Sequence, residues 1–195
     1  MPVRYHLINL TLAPILLAGC SHLSVPEDKL TEPKDVIGVH ESLGLIRNIG
    51  LIIDDQVTGK CWTNVNQIKQ KTKVALEQSG IRVYGEELAS ISPFSTNLKI
   101  NGLGGRSSAE SCLGSMTIYT LKALEHDWKV KIEYAASNFT RSAVIKGYRS
   151  LNNQFMSYSE EVVSEFIADI IKGRRDPIVA KLLSENPDKR PLTTD

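Results

Sequence analysis

The chain has 195 residues, of which 42% are hydrophobic and 23% are charged, and its formal net charge is +1. This length suits one domain with a hydrophobic core of its own, and the composition excludes wholesale disorder. The near-neutral charge, with lysines and arginines scattered along the chain, gives no support to a nucleic-acid-binding stripe, so we expect no nucleic-acid partner.

The first residues have the layout of an export signal. Arg4 is followed by an apolar run over residues 7–17 and then by the small residues Ala18 and Gly19. The apolar run is too short to span a bilayer, which needs about 20 such residues. A charged start, an apolar middle and a small-residue end are typical of a secretory signal peptide, which we assign to residues 1–19.

The four residues that close this segment, Leu-Ala-Gly-Cys at 17–20, resemble the lipobox of bacterial lipoproteins at every position. In that family the cysteine thiol receives a lipid, the preceding bond is cut, and the new amino terminus is acylated with a fatty acid such as palmitate. The resemblance implies that Cys20 is the lipidated first residue of the mature chain. Several acyl chains hold a protein stably on a membrane, whereas one chain binds marginally. The alternative is a buried N-terminal helix that happens to contain a cysteine.

The residue after the cysteine bears on the choice of membrane. In lipoproteins an aspartate at this position often signals retention in the inner membrane, so Ser21 favours the outer one. The polar residues of the segment 20–41, which include Pro26 and Pro33, predict a flexible tether. We place the globular domain at 42–186 and a polar tail at 187–195.

The domain opens with a strand and a helix. Residues 43–55 are rich in leucine and isoleucine and predict a buried strand or a bent pair of strands. Thr63 or Asn64 is a suitable N-cap for the helix that follows, and Gly80 is a suitable C-cap. Residues 81–84 then alternate as a short strand.

The second half of the domain combines strands with a long helix. A helix with a continuous apolar stripe ends at Gly173, and residues 157–160 match a capping box at its start. The stripe consists of Val162, Val163, Phe166, Ile167, Ile170 and Ile171. Asp176 and Pro177 predict the start of a short helix that runs through Leu183. The preceding segments that alternate as strands, joined by brief polar links, are 98–101, 115–125, 128–134 and 140–148.

These elements predict an α+β fold with a single domain. The expected sheet is mostly antiparallel, has four to five strands in a β-α-β-β-β-β-α order, and carries two main helices packed on it.

Two cysteines remain once Cys20 carries lipid. Cys61 and Cys112 form an even pair, and the resemblance to exported lipoproteins places them where thiols oxidise, so we expect a disulfide between them. The bridge would close a loop of about fifty residues and join the start of the first helix to the start of a middle strand.

Cys61 is also the one candidate nucleophile, because a helix N-terminus lowers the pKa of a thiol. Cysteine peptidases that trim peptidoglycan place their nucleophile at a helix start, with a histidine on a later strand, and His126 is the only downstream histidine. Their Asp-Cys-Ser-Gly motif is replaced here by Lys-Cys-Trp-Thr at residues 60–63. We therefore favour the structural disulfide.

Other candidate chemistry is weaker. Asp54 and Asp55 end an apolar strand without a second acid placed to share general acid–base work. The glycine-rich residues 101–108 are not followed by a helix suited to phosphate and predict a hairpin loop. The histidines of the mature chain are not at metal-ligand spacing. We therefore expect no catalytic residue, no cofactor and no metal.

The functional prediction is a periplasmic lipoprotein, anchored to the outer membrane through Cys20, that binds another cell-envelope protein as a non-catalytic accessory or assembly factor. One alternative is a module for a small ligand or a lipid, which needs a deep apolar pocket between sheet and helices. The other is a cell-wall hydrolase, which needs a free thiol at Cys61. A group of aromatic residues could face a partner, although strand aromatics belong more often to a core: Trp62, Tyr119, Trp128, Tyr134 and Tyr148.

Overall fold

The computed structural model describes residues 37–38, 41–88, 94–127 and 131–187, with the backbone alone for 123–127 and 131–136. The predicted signal peptide, Cys20, most of the tether and the tail from residue 188 lie outside the described residues. Within the described part of the chain, no helix has the length and apolar character that a membrane crossing requires.

Six strands and three helices follow a short 3₁₀ helix, Glu41–Leu45, in the described chain. The strands are β1 (Asn48–Val57), β2 (Arg82–Tyr84), β3 (Ser95–Ser108), β4 (Ser111–Asp127), β5 (Lys131–Ala136) and β6 (Thr140–Tyr148). The helices are α1 (Val65–Gln78), α2 (Asn152–Gly173) and α3 (Pro177–Glu185). This confirms the predicted α+β fold.

The strands form one mixed sheet in the order β2-β1-β3-β4-β5, with β6 also paired to β4. β1 runs parallel to both β2 and β3, whereas β4 is antiparallel to β3, β5 and β6. Two of the pairings are therefore parallel and the sheet has six strands, where we expected a mostly antiparallel sheet with four to five strands. α1 causes the first parallel pairing, because a helical crossover returns the chain to the end of the sheet at which β1 began.

β4 is the longest strand and forms one long hairpin with β5 and β6. From Ser111 to Tyr119 it lies between β3 and β6, and its last residues, 122–127, pair with β5. The β3 ladder ends where Asn97 faces Leu121. The β4–β5 end of the hairpin therefore extends beyond this ladder as a two-stranded ribbon.

The core lies between one face of the sheet and the two main helices. The sheet contributes Leu51, Leu98, Ile100, Met116 and Ile118, all at most 1% exposed. Helix α1 contributes Ile68 and Leu76, and helix α2 contributes Phe155, Val162, Val163, Phe166 and Ile170. We call the opposite side of the sheet the outer face.

Several local predictions differ from the structure in part or in full. The segment 43–55 holds the end of the 3₁₀ helix and then the single strand β1, so the predicted strand is confirmed from Asn48 onward and the bent pair of strands is not. α2 begins at Asn152, so residues 157–160 lie inside the helix and the capping box is wrong. The apolar stripe, predicted from Val162 onward, starts about two turns earlier at Phe155, and Leu151 just before the helix is also buried.

The start of α3 is confirmed. Asp176 is the N-cap, and its carboxylate accepts hydrogen bonds from the N–H groups of Ile178 and Val179 at 2.9 and 3.1 Å. Pro177 follows in the first turn, where a missing N–H costs nothing.

The glycine-rich residues 101–108 are not a loop but the second half of β3, and the hairpin turn is formed by Ala109 and Glu110. The glycines allow close approach. A side chain at Gly102 would collide with the indole ring of Trp62, and one at Gly104 would meet the backbone of Gly114. The backbone φ of Gly104, 153°, also favours glycine.

Candidate functional site

The structure joins Cys61 and Cys112 by a disulfide, with the two Cα atoms 5.8 Å apart and a sequence separation of 51 residues. Both residues are fully buried. Cys112 is the second residue of β4, so the bridge ties the segment before α1 to the middle of the sheet. The carbonyl of Cys61 also accepts a hydrogen bond from the N–H of Leu151 at 2.7 Å, just before α2.

A nucleophilic role for Cys61 needs a thiolate, and in this structure its sulfur is bonded to Cys112. The backbone of His126 lies on β4, and its side chain is outside the described residues. The geometry therefore supplies a structural bridge at Cys61 and gives the hydrolase alternative no free thiol there.

The carboxylates at the end of β1 make local bonds. Asp54 accepts a hydrogen bond from the side chain of Gln56 at 2.7 Å, and Asp55 accepts one from the N–H of Val57 at 2.9 Å. Both aspartates are exposed. Across the described ranges, no three His, Cys, Asp or Glu side chains are grouped so that they could hold a metal ion.

Two cavities are open grooves beside the helices. One, of about 540 Å³, is lined by charged residues that include Glu41, Arg141, Glu165, Asp169 and Lys172. Another, of about 290 Å³, lies between α1 and α2. Neither groove is the deep apolar pocket between sheet and helices that the ligand-binding alternative requires.

Arg141 and Glu165 form an ion pair in the charged groove. The Nε of Arg141, on β6, donates to both carboxylate oxygens of Glu165, on α2, at 3.0 and 3.1 Å. This hydrogen bonding holds the pKa of the Glu165 carboxyl below its usual range. The pair therefore fastens α2 to the last strand of the sheet.

The outer face carries most of the exposed large hydrophobic residues. Six such residues occur in the part of the chain with described side chains, and four of them lie on this face. They are Leu103 (55% exposed), Leu113 (47%), Val144 (80%) and Tyr148 (65%). Single exposed apolar residues are ordinary, but a concentration on one face of a sheet marks a candidate contact surface.

Strand register places these residues in neighbouring rows. Leu103 on β3 faces Ser115 on β4, which faces Val144 on β6. In the next row, the hydroxyls of Thr117 and Ser142 are 2.7 Å apart. The rows on β3, β4 and β6 are therefore mainly apolar and hydroxylated, with Lys146 opposite Leu113 and Asp54 of β1 beside Asn101 at their margins.

The aromatic residues considered above have different surroundings. Trp62 is 3% exposed and belongs to the core, whereas Tyr148 is exposed on the outer face. Tyr119 lies on the same face, half-buried. Trp128 and the side chain of Tyr134 lie outside what the structure describes. Two of the three aromatic residues with described side chains therefore lie on the outer face, and the strand alternation that places Leu103, Leu113 and Val144 there is the clearer signal for this surface.

Comparison with known proteins gives weak likenesses. The sequence matches no protein-family model, and no curated protein matches it. Among solved structures, a minor lipoprotein from Acinetobacter baumannii is 14% identical, with 74% of this chain and 97% of that chain covered and a TM-score of 0.25. Rare lipoprotein B from Shewanella oneidensis is 7% identical, with coverages of 71% and 94% and a TM-score of 0.24.

A third solved structure is a protein from Xanthomonas campestris described by the family model DUF330. It is 10% identical, with 70% of this chain and 87% of that chain covered and a TM-score of 0.27. Two of the three similar proteins carry the name lipoprotein. TM-scores of 0.24 to 0.27 support no argument about the function of this chain.

Proposed function

We propose that this protein is an outer-membrane lipoprotein, anchored through Cys20 with its domain in the periplasm, that acts as a non-catalytic accessory or assembly factor by docking its outer face onto another cell-envelope protein. The lipobox resemblance of residues 17–20 supports the address. The Cys61–Cys112 bridge supports an oxidising compartment, because such bridges persist outside the cytosol.

The observation that carries the docking role is the row formed by Leu103, Ser115 and Val144, with Leu113 beside it. Its apolar side chains gain free energy when a partner removes them from water, at about 25 cal/mol per Å². The apolar and hydroxylated side chains of these rows fit a partner surface that is itself flat and largely apolar, such as a face of another sheet. Sheets that pack face to face lie about 10 Å apart.

Site-specific photo-crosslinking in growing cells tests this role. A photoreactive residue at Leu113 should give one discrete adduct with a second envelope protein. Val74 is the matched control, because it has the same 47% exposure but lies on α1. The adduct should also disappear when Leu103→Asp is added. Two results would show that this face does not dock onto a partner. One is an equal amount of adduct with the photoreactive residue at Val74, and the other is no adduct with that residue at Leu113 or at Leu103.

A separate experiment tests the anchor. Cys20→Ser should abolish labelling by radioactive palmitate and release the protein from the membrane fraction. Ser21→Asp should keep the lipid and shift the protein toward the inner membrane in a density gradient. Unchanged acylation of the Cys20→Ser protein would contradict the assigned address.

A further inference from the structure

β6 forms an edge of the sheet, and half of its main-chain groups point away from β4. The N–H of Thr120 donates to the carbonyl of Phe139 at 3.0 Å, and the N–H of Arg149 donates to the carbonyl of Glu110 at 2.8 Å. These two bonds lie ten residues apart in one unbroken register. Antiparallel bonding recurs at every second residue, so the main-chain groups of the odd-numbered residues of β6 bond to β4. The main-chain groups of the even-numbered residues point outward from the edge, in the plane of the sheet.

The two ends of this edge are closed. Arg141 donates from its guanidinium to the carbonyl of Thr140 at 3.0 Å, and the N–H of Ser150 donates to the carbonyl of Tyr148 at 2.7 Å. Between them, the main-chain N–H and C=O groups of three outward-facing residues have no hydrogen-bond partner among the described residues: Ser142, Val144 and Lys146. A row of unpaired groups is a template for another strand.

We propose that β6 pairs antiparallel with β6 of a second copy of this chain, about a two-fold axis at Val144, to form one continuous sheet. Val144 is 80% exposed and would meet Val144 of the second copy. The same register sets Ser142 against Lys146 and Thr140 against Tyr148. The three open residues of each copy then exchange about six hydrogen bonds across the axis.

Length and charge select this register over its neighbours. An axis at Ala143 or at Ile145 would pair only four of the five outward-facing residues of each copy, because the fifth would lie beyond the end of the facing strand. An axis at Lys146 would place two ammonium groups directly opposite each other, which is destabilising. An axis at Ser142 would leave Lys146 and Tyr148 beyond the end of the facing strand, because β6 starts at Thr140. The axis at Val144 pairs all five outward-facing residues and opposes no two like charges.

The charges next to the edge are compatible with this pairing. Arg141, which faces the helices, is already bonded to Glu165 and therefore adds little repulsion. Glu161, one turn earlier on α2, adds one carboxylate to each copy. At physiological salt, the repulsion of exposed charges is largely screened beyond about 8 Å. Self-pairing of β6 does not depend on the docking role proposed for the outer face.

Cysteine crosslinking of the full-length chain in detergent tests the register. The Cα atoms of a hydrogen-bonded antiparallel pair lie about 5.5 Å apart, within the range of a disulfide. Val144→Cys should therefore give a covalent dimer on mild oxidation with copper phenanthroline. Ser142→Cys should not, because its two copies would lie about 14 Å apart along the strands. A mixture of Ser142→Cys and Lys146→Cys proteins should crosslink, although neither does alone.

The unsubstituted chain gives the background level of covalent dimer. The Leu103→Cys protein gives the level that random collision produces, because this residue is exposed on the outer face but lies away from the edge. We expect at least about fivefold more dimer from Val144→Cys than from Leu103→Cys. Two results would overturn the proposal. One is no more covalent dimer from Val144→Cys than from Leu103→Cys. The other is that, in cells, the Val144→Cys protein forms its disulfide with a different protein and not with a second copy of itself.

A proline variant tests the main-chain bonds directly. The N–H of Val144 points outward, so Val144→Pro removes a donor that the β4–β6 ladder does not use, and proline is tolerated on such an edge. Val144→Thr keeps the branched side chain and the N–H. By sedimentation, Val144→Pro should weaken self-association at least about tenfold and Val144→Thr much less, with the same circular dichroism spectrum for both. Equal dimerisation of the two variants would refute pairing through this edge.

Discussion

The indole ring of Trp62 meets the phenyl ring of Phe155 edge to face, with the ring centroids 5.1 Å apart and the planes at 84°. Trp62 directly follows the disulfide-bonded Cys61, and Phe155 lies in the first turns of α2. This contact therefore joins the segment before α1 to the longest helix. Gly102 of β3 leaves the space beneath the indole ring that this arrangement needs.

The first prediction concerns that space. Gly102→Ala should destabilise the domain by about 1–3 kcal/mol, because its Cβ would overlap ring carbons of Trp62 in a packed core. Gly85→Ala is the matched control, since nothing lies within 4 Å of a Cβ there. Its effect should stay within about 0.5 kcal/mol. Urea unfolding followed by circular dichroism measures both, and equal losses would contradict the packing described.

The second prediction concerns the disulfide. Replacing Cys61 and Cys112 together by alanine should lower the free energy of unfolding by about 2–5 kcal/mol, because the open chain regains the entropy of a long loop. Guanidinium unfolding with and without a reducing agent measures this loss. The unsubstituted protein should lose comparable stability when reduced, and the double variant should not respond. A loss of stability on reduction in both proteins would show that the reducing agent acts at a site other than this disulfide.

The third prediction concerns the start of α3. Asp176→Ala should cost about 1 kcal/mol, because the N–H groups of Ile178 and Val179 lose their acceptor. Asp176→Asn keeps a side-chain oxygen and should retain most of the stability. Thermal unfolding compares the three proteins. A loss from Asp176→Asn as large as that from Asp176→Ala would assign the effect to charge and not to capping.

The fourth prediction concerns pH. The pKa of Glu165 is lowered in the folded protein by its bond to Arg141, so this pair stabilises the fold above the carboxyl's unfolded pKa of about 4.3. Its contribution is lost as the pH falls through the lower, folded pKa. Glu165→Gln should therefore lower the melting temperature at pH 7 and have less effect at pH 3. The shift should be small, because both side chains are over 40% exposed.

Glu161→Gln is the control for the pH experiment. Glu161 lies one turn earlier on the same helix and makes no ion pair with a described residue. We expect no comparable loss of melting temperature at pH 7. The same pH-dependent loss in both variants would mean that the net charge of α2, and not the bond to Arg141, causes it.

Helical periodicity predicted the positions that matter most in α2. The buried residues Val162, Val163, Phe166 and Ile170 all belong to the stripe seen in the sequence. The start of the helix was missed because its first turn, residues 152–154, consists of polar amides that hide the earlier burial of Phe155. The start of α3 was predicted correctly, because the N-cap Asp176 and the first-turn Pro177 act within a single turn of the chain.

Strand pairing was harder to predict than strand position. Alternation gives the two faces of a strand but not its neighbour, and β1 pairs with a strand that begins about fifty residues later in the chain. The glycines at 102 and 104 suggested a loop, because glycine is common in loops. Their actual role is to leave room for Trp62 and for the backbone of Gly114, and these contacts exist only in the folded sheet. The outer face was missed for the same reason: the alternation of β3 and β6 was visible, but the side that the helices leave open was not.

The guanidinium of Arg47 donates to the carbonyls of Leu183 and Asn186, so the residue just before β1 holds the last turn of α3. The backbones of Gly44 and Gly173 are also in close contact. The beginning and the end of the folded domain consequently adjoin. A short linker could close them into a ring, and new termini opened at the hairpin turn 109–110 would give a circular permutant with the same strand order.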